Sequence, residues 1–301
     1  MDLHHGHNHH SKDSDRNLFV AIILNVLLSV SQIIGGIISG SLSLIADALH
    51  NFSDAASLCI ALFARTVSRR PPDTLKTFGY QRADTIAALI NLTLLIVIGL
   101  YIAYEGVIRL ANPQQVTGWI IILVAGIALI IDVFTAMITH RISKNNMNMR
   151  AAFLHNLSDA LSSVSVIIAG VLIILFEWYW TDTVLTFMIS AFVLWQGITM
   201  LPKTIHLLME GTPIGLSLED IKLCMNEVSG VENIHHLHVW NLDENRIALE
   251  AHVVMMVSEL KEVKVIKDEI KSKLKNKFNI THSTLEFEYY LDISCDENTE
   301  D

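Results

Sequence analysis

Six long apolar runs occupy the first two thirds of the chain, at approximately 18–38, 42–64, 84–108, 117–140, 151–176 and 181–207. A helix needs about 20 mainly apolar residues to cross a bilayer. In hydrocarbon, only helices and closed barrels satisfy their own backbone hydrogen bonds. Runs of this length therefore predict an α-helical membrane protein with six transmembrane helices. Composition agrees: 17% of the 301 residues are charged and mean hydropathy is +0.44, against roughly 25% charged in an ordinary soluble domain.

Positive charge sets the expected orientation. Arg65, Arg69, Arg70, Lys76 and Arg82 follow the second run, and Arg141, Lys144 and Arg150 follow the fourth. The other connections ("SGS", "LANPQQVTG", "EWYWTD") are poor in Lys and Arg. This alternation puts both termini in the cytosol. The opening "MDLHHGHNHHSKDSDRN" lacks the basic n-region and cleavage site of a signal peptide, so the first run is expected to remain as a span.

After the linker "EGTP" (210–213) the pattern changes. A helix signal at 217–228 is followed by strand-like runs at 231–242 and 246–257, a charged helix at 258–278 and an alternating run at 282–291. The order αββαβ predicts a small α+β domain with its helices on one face of a short sheet. The expected divisions are a His-rich segment at 1–17, a membrane domain at 18–210, a cytosolic domain at 211–292 and an acidic, disordered tail at 293–301. From Gly211 onward there are 18 acidic and 9 basic residues, so the net charge of −10 belongs almost wholly to this part. Such acidity argues against a nucleic-acid partner. Cys59, Cys224 and Cys295 form no CxxC pair, which leaves neither a disulfide framework nor a cysteine zinc site.

Two pentapeptides interrupt the apolar pattern: "HNFSD" at 50–54 and "HNLSD" at 155–159. Residues i and i+4 share one helix face, so each copy presents an imidazole and a carboxylate together. An aspartate at a helix centre costs about 2.5–3.5 kcal/mol on insertion scales, and two of them require partners. The four groups either pair with one another around water or bind one ion. His50, Asp54, His155 and Asp159 together make a nitrogen–oxygen set suited to tetrahedral Zn²⁺. The duplication favours the metal. No HExxH motif supplies a general base, so the set suits transport better than hydrolysis. Binding requires neutral imidazole and ionised carboxylate, which makes metal and protons competitors. Metal/proton antiport follows as the expected mechanism.

The stretches "GSLSLIADALHNFSD", "FGYQRAD", "LHNLSDALSSVSV" and "GVENIHHLHVWNL" resemble those of the cation diffusion facilitator family, in its zinc-transporting, cadmium/zinc/cobalt exporter-like branch. The resemblance spans nearly the whole chain. It implies a homodimer in the cytoplasmic (inner) membrane, a ferredoxin-like cytosolic domain, and proton-driven export of Zn²⁺, with Cd²⁺ and Co²⁺ as further substrates. It also places His50, Asp54, His155 and Asp159 at the transport site. Asp84 stands where relatives commonly have Glu, and "SRRPPDTLKTFGYQRAD" lacks the histidines of a further loop site. Asp132 is a candidate proton acceptor or metal-entry group, or else the partner of a basic residue. Asp47, one turn before His50, is a candidate for supporting the ligands without binding the ion.

Strand alternation puts His236 and His238 on one face and His235 on the other. The resemblance implies cytosolic zinc sites at the dimer interface to which His235, His252 and His282 contribute, with Glu286 in place of the acidic ligand missing at Thr284; Zn²⁺ there would act as a regulator. No organic cofactor and no enzymatic activity are expected. The alternatives are an intramembrane metalloenzyme, which would need Asp47 or Asp132 as its base, and a non-transporting metal sensor acting through the cytosolic histidines.

Overall fold

The computed structural model describes residues 10–143, 147–243, 246–256 and 260–289. Most of the N-terminal histidine cluster and the acidic tail from 293 lie outside them. Six long helices form first: α1 (His10–Ser39), α2 (Leu42–Ser68), α3 (Ala83–Ala111), α4 (Gly118–Ser143), α5 (Met147–Phe176) and α6 (Trp180–Leu208). Helix α1 begins eight residues before the apolar run, its first turns being polar. Among the described residues, α3 to α6 contain stretches long and apolar enough to cross a membrane. The described apolar stretch of α1, Asn25–Ser39, is shorter. Helix α2 is diluted by Asp47, His50, Asn51 and Asp54.

The helical unit is built from residues up to Phe63 and from Ala88 to Leu201. Its centre buries Leu44, Ile102, Ile121, Val166 and Val193. Lipid tails are as apolar as leucine, so helices in a membrane associate through close packing of small residues rather than by hydrophobic drive. Gly118 of α4 and Gly170 of α5 make such a contact: a Cβ on Gly118 would lie 2.7 Å from the Gly170 carbonyl oxygen. Likewise, a Cβ on Gly197 of α6 would stand 2.6 Å from Ile96 Cγ1 of α3.

A buried carboxylate fixes where α2 begins. Asp182, in the first turn of α6, is wholly buried. It accepts hydrogen bonds from Ser41 Oγ (2.5 Å), Ser43 Oγ (2.6 Å), the Leu42 amide (2.9 Å) and the Ser43 amide (3.3 Å). Free amides at a helix start, with the positive end of the helix dipole, favour an anion. Arg109 at the end of α3 completes the set, 3.5 Å from Asp182 and bonded to the Gly40 carbonyl. Helices α2 and α6 therefore start at one end of the bundle, and α3 ends there.

The second unit comprises residues 64–87 and the chain from Pro202. Its elements are α7 (Leu218–Asn226), β1 (Val231–Asn241), β2 (Ile247–Met255), α8 (Leu260–Phe278) and β3 (Ile280–Tyr289), in the predicted order. Ser217 caps α7 by accepting from the Asp220 amide. The sheet order is β1-β2-β3, β1 antiparallel and β3 parallel to the central β2. Leu249, Ala251, Val253 and Met255 of β2 pack with Ile221 and Met225 of α7 and Ile266, Ile270 and Leu274 of α8. Strand β3 starts at Ile280, two residues before the expected run, because Ile280 already pairs with Ile247.

Residues 64–87 join this unit through specific contacts. Arg82 pairs with Glu210 at 2.9 Å, Arg246 bonds Gln81, and the Phe78 ring meets His282 edge-on at 5.7 Å. Within this segment, Asp73 accepts from the Tyr80 hydroxyl and from the Lys76 and Leu75 amides, which hold its carboxyl below the usual range.

Candidate metal centre

The two pentapeptides fold as i, i+4 pairs on antiparallel helices, and the structure brings all four side chains together. His155 Nε2 lies 3.2 Å from Asp54 Oδ2 and 3.5 Å from Asp159 Oδ2. His50 Nε2 lies 3.7 Å from Asp54 Oδ2 and 3.8 Å from Asp159 Oδ1. Four ligands about 2.0–2.1 Å from a zinc ion stand roughly 3.3–3.4 Å apart along the edges of a tetrahedron. The four imidazole–carboxylate separations lie close to that value, Asp159 facing His155 through Oδ2 and His50 through Oδ1.

The quartet is open at one end and closed at the other. Side-chain exposure is 41% for His155 and 25% for Asp54, but 13% for Asp159 and 6% for His50. The buried pair is nearer the end where Asp182 holds α2. Phe192 of α6 covers His50, its ring edge-on at 6.2 Å.

Beyond this pair lies a polar layer. Asp47 accepts from Gln32 Nε2 of α1 (2.6 Å) and from Ser162 Oγ of α5 (2.6 Å). Gln32 Oε1 in turn accepts from Asn51 Nδ2 (3.0 Å). Asp132 of α4 accepts from Ser163 Oγ of α5 at 2.9 Å, a hydroxyl in place of the basic residue that was one of its expected partners. Gln32, Asn51, Ser162 and Ser163 were not singled out from the sequence. The usable signal was an amide inside the first apolar run, since a buried polar group in a span must find a partner.

In the tail domain the structure groups two of the expected histidines, His235 and His252, around a carboxylate that the sequence reading did not name. Glu288 joins two histidines: it receives His235 Nε2 at 3.0 Å and His252 Nδ1 at 2.6 Å. Glu286 stands 3.6 Å from His252 Nε2. Burial pushes the Glu288 carboxyl up, but the His235 and His252 hydrogen bonds together outweigh it and hold the group below the usual glutamate range. His282 lies elsewhere on the strand. It pairs with Ala248, four residues along β2 from His252, or about 13 Å at 3.3 Å per residue.

The β1 histidines follow the expected alternation in part: the His236 and His238 rings meet at 4.8 Å, but His235 is not set apart from His236. Between His235 and His238 that strand advances three residues while β2 moves two, from His252 to Glu250, and His236 takes a left-handed φ of 50°. This is a one-residue bulge. It sets the His235 and His236 rings 5.1 Å and 5.0 Å from the His252 ring. Among the described residues, His235, His252 and Glu288 form one set able to hold an ion, and His50, Asp54 and Asp159 another.

Residues 18–209 match the cation efflux transmembrane domain family, and residues 213–290 the cytoplasmic domain of cation efflux proteins. The cadmium, cobalt and zinc/H(+)-K(+) antiporter of Bacillus subtilis is 37% identical over 94% of this chain and 92% of the relative. The metal cation efflux system protein CzcD of Cupriavidus metallidurans is 34% identical over 94% and 90%. The zinc transporter ZitB of Escherichia coli is 34% identical over 95% and 92%. The metal-bound C-terminal domain of the C. metallidurans CzcD transporter aligns to 24% of this chain and 99% of that domain, at 34% identity and a TM-score of 0.23, too low to speak for the fold. This chain belongs to the cation efflux family, in the branch of zinc, cadmium and cobalt transporters, which are not enzymes.

Proposed function

We propose that the protein exports Zn²⁺, and also Cd²⁺ and Co²⁺, from the cytosol in exchange for protons, with His50, Asp54, His155 and Asp159 as its transport site. The observation that carries this is the convergence of two imidazoles and two carboxylates from two antiparallel helices, each imidazole within 3.2–3.8 Å of both carboxylates. Zn²⁺ accepts such a mixed nitrogen–oxygen set without ligand-field preference. The ion leaves only if its ligands take up protons or move apart, so a proton arriving at the imidazoles or carboxylates expels it. The names of the relatives, antiporter and zinc transporter, are consistent with that exchange.

In this reading α1 to α6 are six spans of a homodimer in the cytoplasmic membrane, with both termini in the cytosol. Residues 18–210 conduct, and residues 211–292 form the ferredoxin-like cytosolic domain. The end of the bundle at Ser41 and Asp182 faces outward, so the exposed Asp54 and His155 receive the ion from the cytosol. His235, His252 and Glu288, with Glu286 beside them, form a regulatory Zn²⁺ site on the tail.

The test is Zn²⁺ flux into proteoliposomes under an imposed pH gradient, comparing the wild type with Asp159→Ala. Gradient-driven movement that disappears in the variant is the expected result. Wild-type protein that binds Zn²⁺ but moves none would overturn the antiporter reading and leave the tail histidines as the functional centre.

A further inference from the structure

Gln32 is wholly buried in the apolar face of α1. A buried amide in such a place is costly unless both its ends are bonded. Here both are: its nitrogen donates to Asp47 and its oxygen accepts from Asn51. Asp47 is equally engaged, one carboxylate oxygen bonded to α1 through Gln32 and the other to α5 through Ser162.

The position of this layer gives it meaning. Asp47 precedes His50 by three residues on α2, and Ser162 follows Asp159 by three on α5. Because α2 and α5 run antiparallel, both lie one helical turn beyond the buried pair of the quartet. Exposure falls through the quartet toward this layer, where Asp47 is 2% exposed. An ion held by the four ligands can thus be reached from the Asp54 and His155 side, whereas Asp47–Ser162 bridges the two ligand-bearing helices on the opposite side.

We infer that Gln32 is a positioning residue for transport: with Asp47 and Ser162 it forms a clamp that closes the outward side of the ion site and opens when the ion is released. The inference rests on the transport reading above. Gln32 touches no ligand atom. It holds the Asp47 carboxylate toward Ser162, and through Asn51, the neighbour of His50, it ties the clamp to the ligand-bearing turn of α2.

The test uses full-length protein in proteoliposomes and reads three quantities: Zn²⁺ affinity, Zn²⁺ uptake driven by a pH gradient, and Zn²⁺ leak without one. The variants are Gln32→Leu, Ser162→Ala and the exchange Gln32→Glu with Asp47→Asn. The exchange keeps the net charge and every hydrogen bond of the layer, because the new amide donates to the new carboxylate and still accepts from Ser162. Each single variant is expected to keep its Zn²⁺ Kd within about twofold, since no ligand is touched. Leak should rise about tenfold or more, the scale of one buried hydrogen bond to a charged group, with loss of gradient dependence. The exchange should restore both.

Single variants with unchanged leak and coupling, or with Zn²⁺ binding itself abolished, would overturn the clamp. So would a monodisperse exchange variant that stays uncoupled, because Asp47 would then be needed as a carboxylate. Failure of the transport reading would show separately, as a wild type that moves no Zn²⁺ or an Asp159→Ala variant that still does.

Discussion

Replacing Asp182 by alanine tests how the start of α2 is held. The substitution removes the acceptor for the Leu42 and Ser43 amides and for two serine hydroxyls. Losing a helix cap costs about 1–2 kcal/mol. The larger loss comes from Arg109, whose side chain is only 14% exposed and loses its 3.5 Å carboxylate partner. Leaving one member of a buried ion pair uncompensated costs about 3–5 kcal/mol. Arg109 keeps the Gly40 carbonyl and Gln114, which puts the total near the low end, about 4 kcal/mol. At about 2–4 °C per kcal/mol for a domain of this size, thermal unfolding in detergent should shift down by roughly 8–16 °C. The reasoning is checked by adding Arg109→Met. If the unpaired charge dominates, the double variant recovers to a loss of about 1–2 kcal/mol, the cap alone. A double variant no more stable than Asp182→Ala would refute the assignment of the cost to Arg109.

Three further outcomes are expected. Glu288→Ala should weaken Zn²⁺ binding to the tail, measured by calorimetry on full-length protein carrying Asp159→Ala, while His282→Ala leaves that affinity unchanged. His50→Asp should lower the preference for Zn²⁺ over Mn²⁺ in competitive flux, because a carboxylate suits Mn²⁺ better than an imidazole does. Zn²⁺ affinity at the quartet should fall as pH drops, because protons compete with the ion for imidazole and carboxylate, with Kd rising up to about 100-fold per unit where two protons must leave on binding. An affinity unchanged between pH 7 and pH 5 would exclude the histidines as ligands.

Much of the fold was legible because local chemistry repeats. Apolar runs longer than a bilayer is thick are found as α3 to α6, and helix α2 was recognisable despite its polar turn. The αββαβ order of the tail followed from the change between helical and strand periodicity. The pentapeptides were legible for the same reason: spacing of four on a helix places His50 with Asp54, and His155 with Asp159, without any tertiary information. Elsewhere the pattern failed. A single-residue bulge after His235 brought His236 toward His252, against the alternation expected of a regular strand. Four residues of parallel register separate His282 from His252 within the chain, and Glu288, which bonds both His235 and His252, was not named from the sequence.

The sequence by itself determined the elements, the membrane character and which side chains share a helix face, since these depend on spacing within one segment. Only the tertiary structure decided what crosses between segments. It set α2 against α5 in opposite directions, so that each of the two imidazoles stands 3.2–3.8 Å from both carboxylates. It also paired Gln32 with Asp47 across 15 residues and Ser41 with Asp182 across 141. Hydrogen bonds and coordination are fixed by distances of a few tenths of an ångström, and nothing in the order of residues along the chain carries that measure.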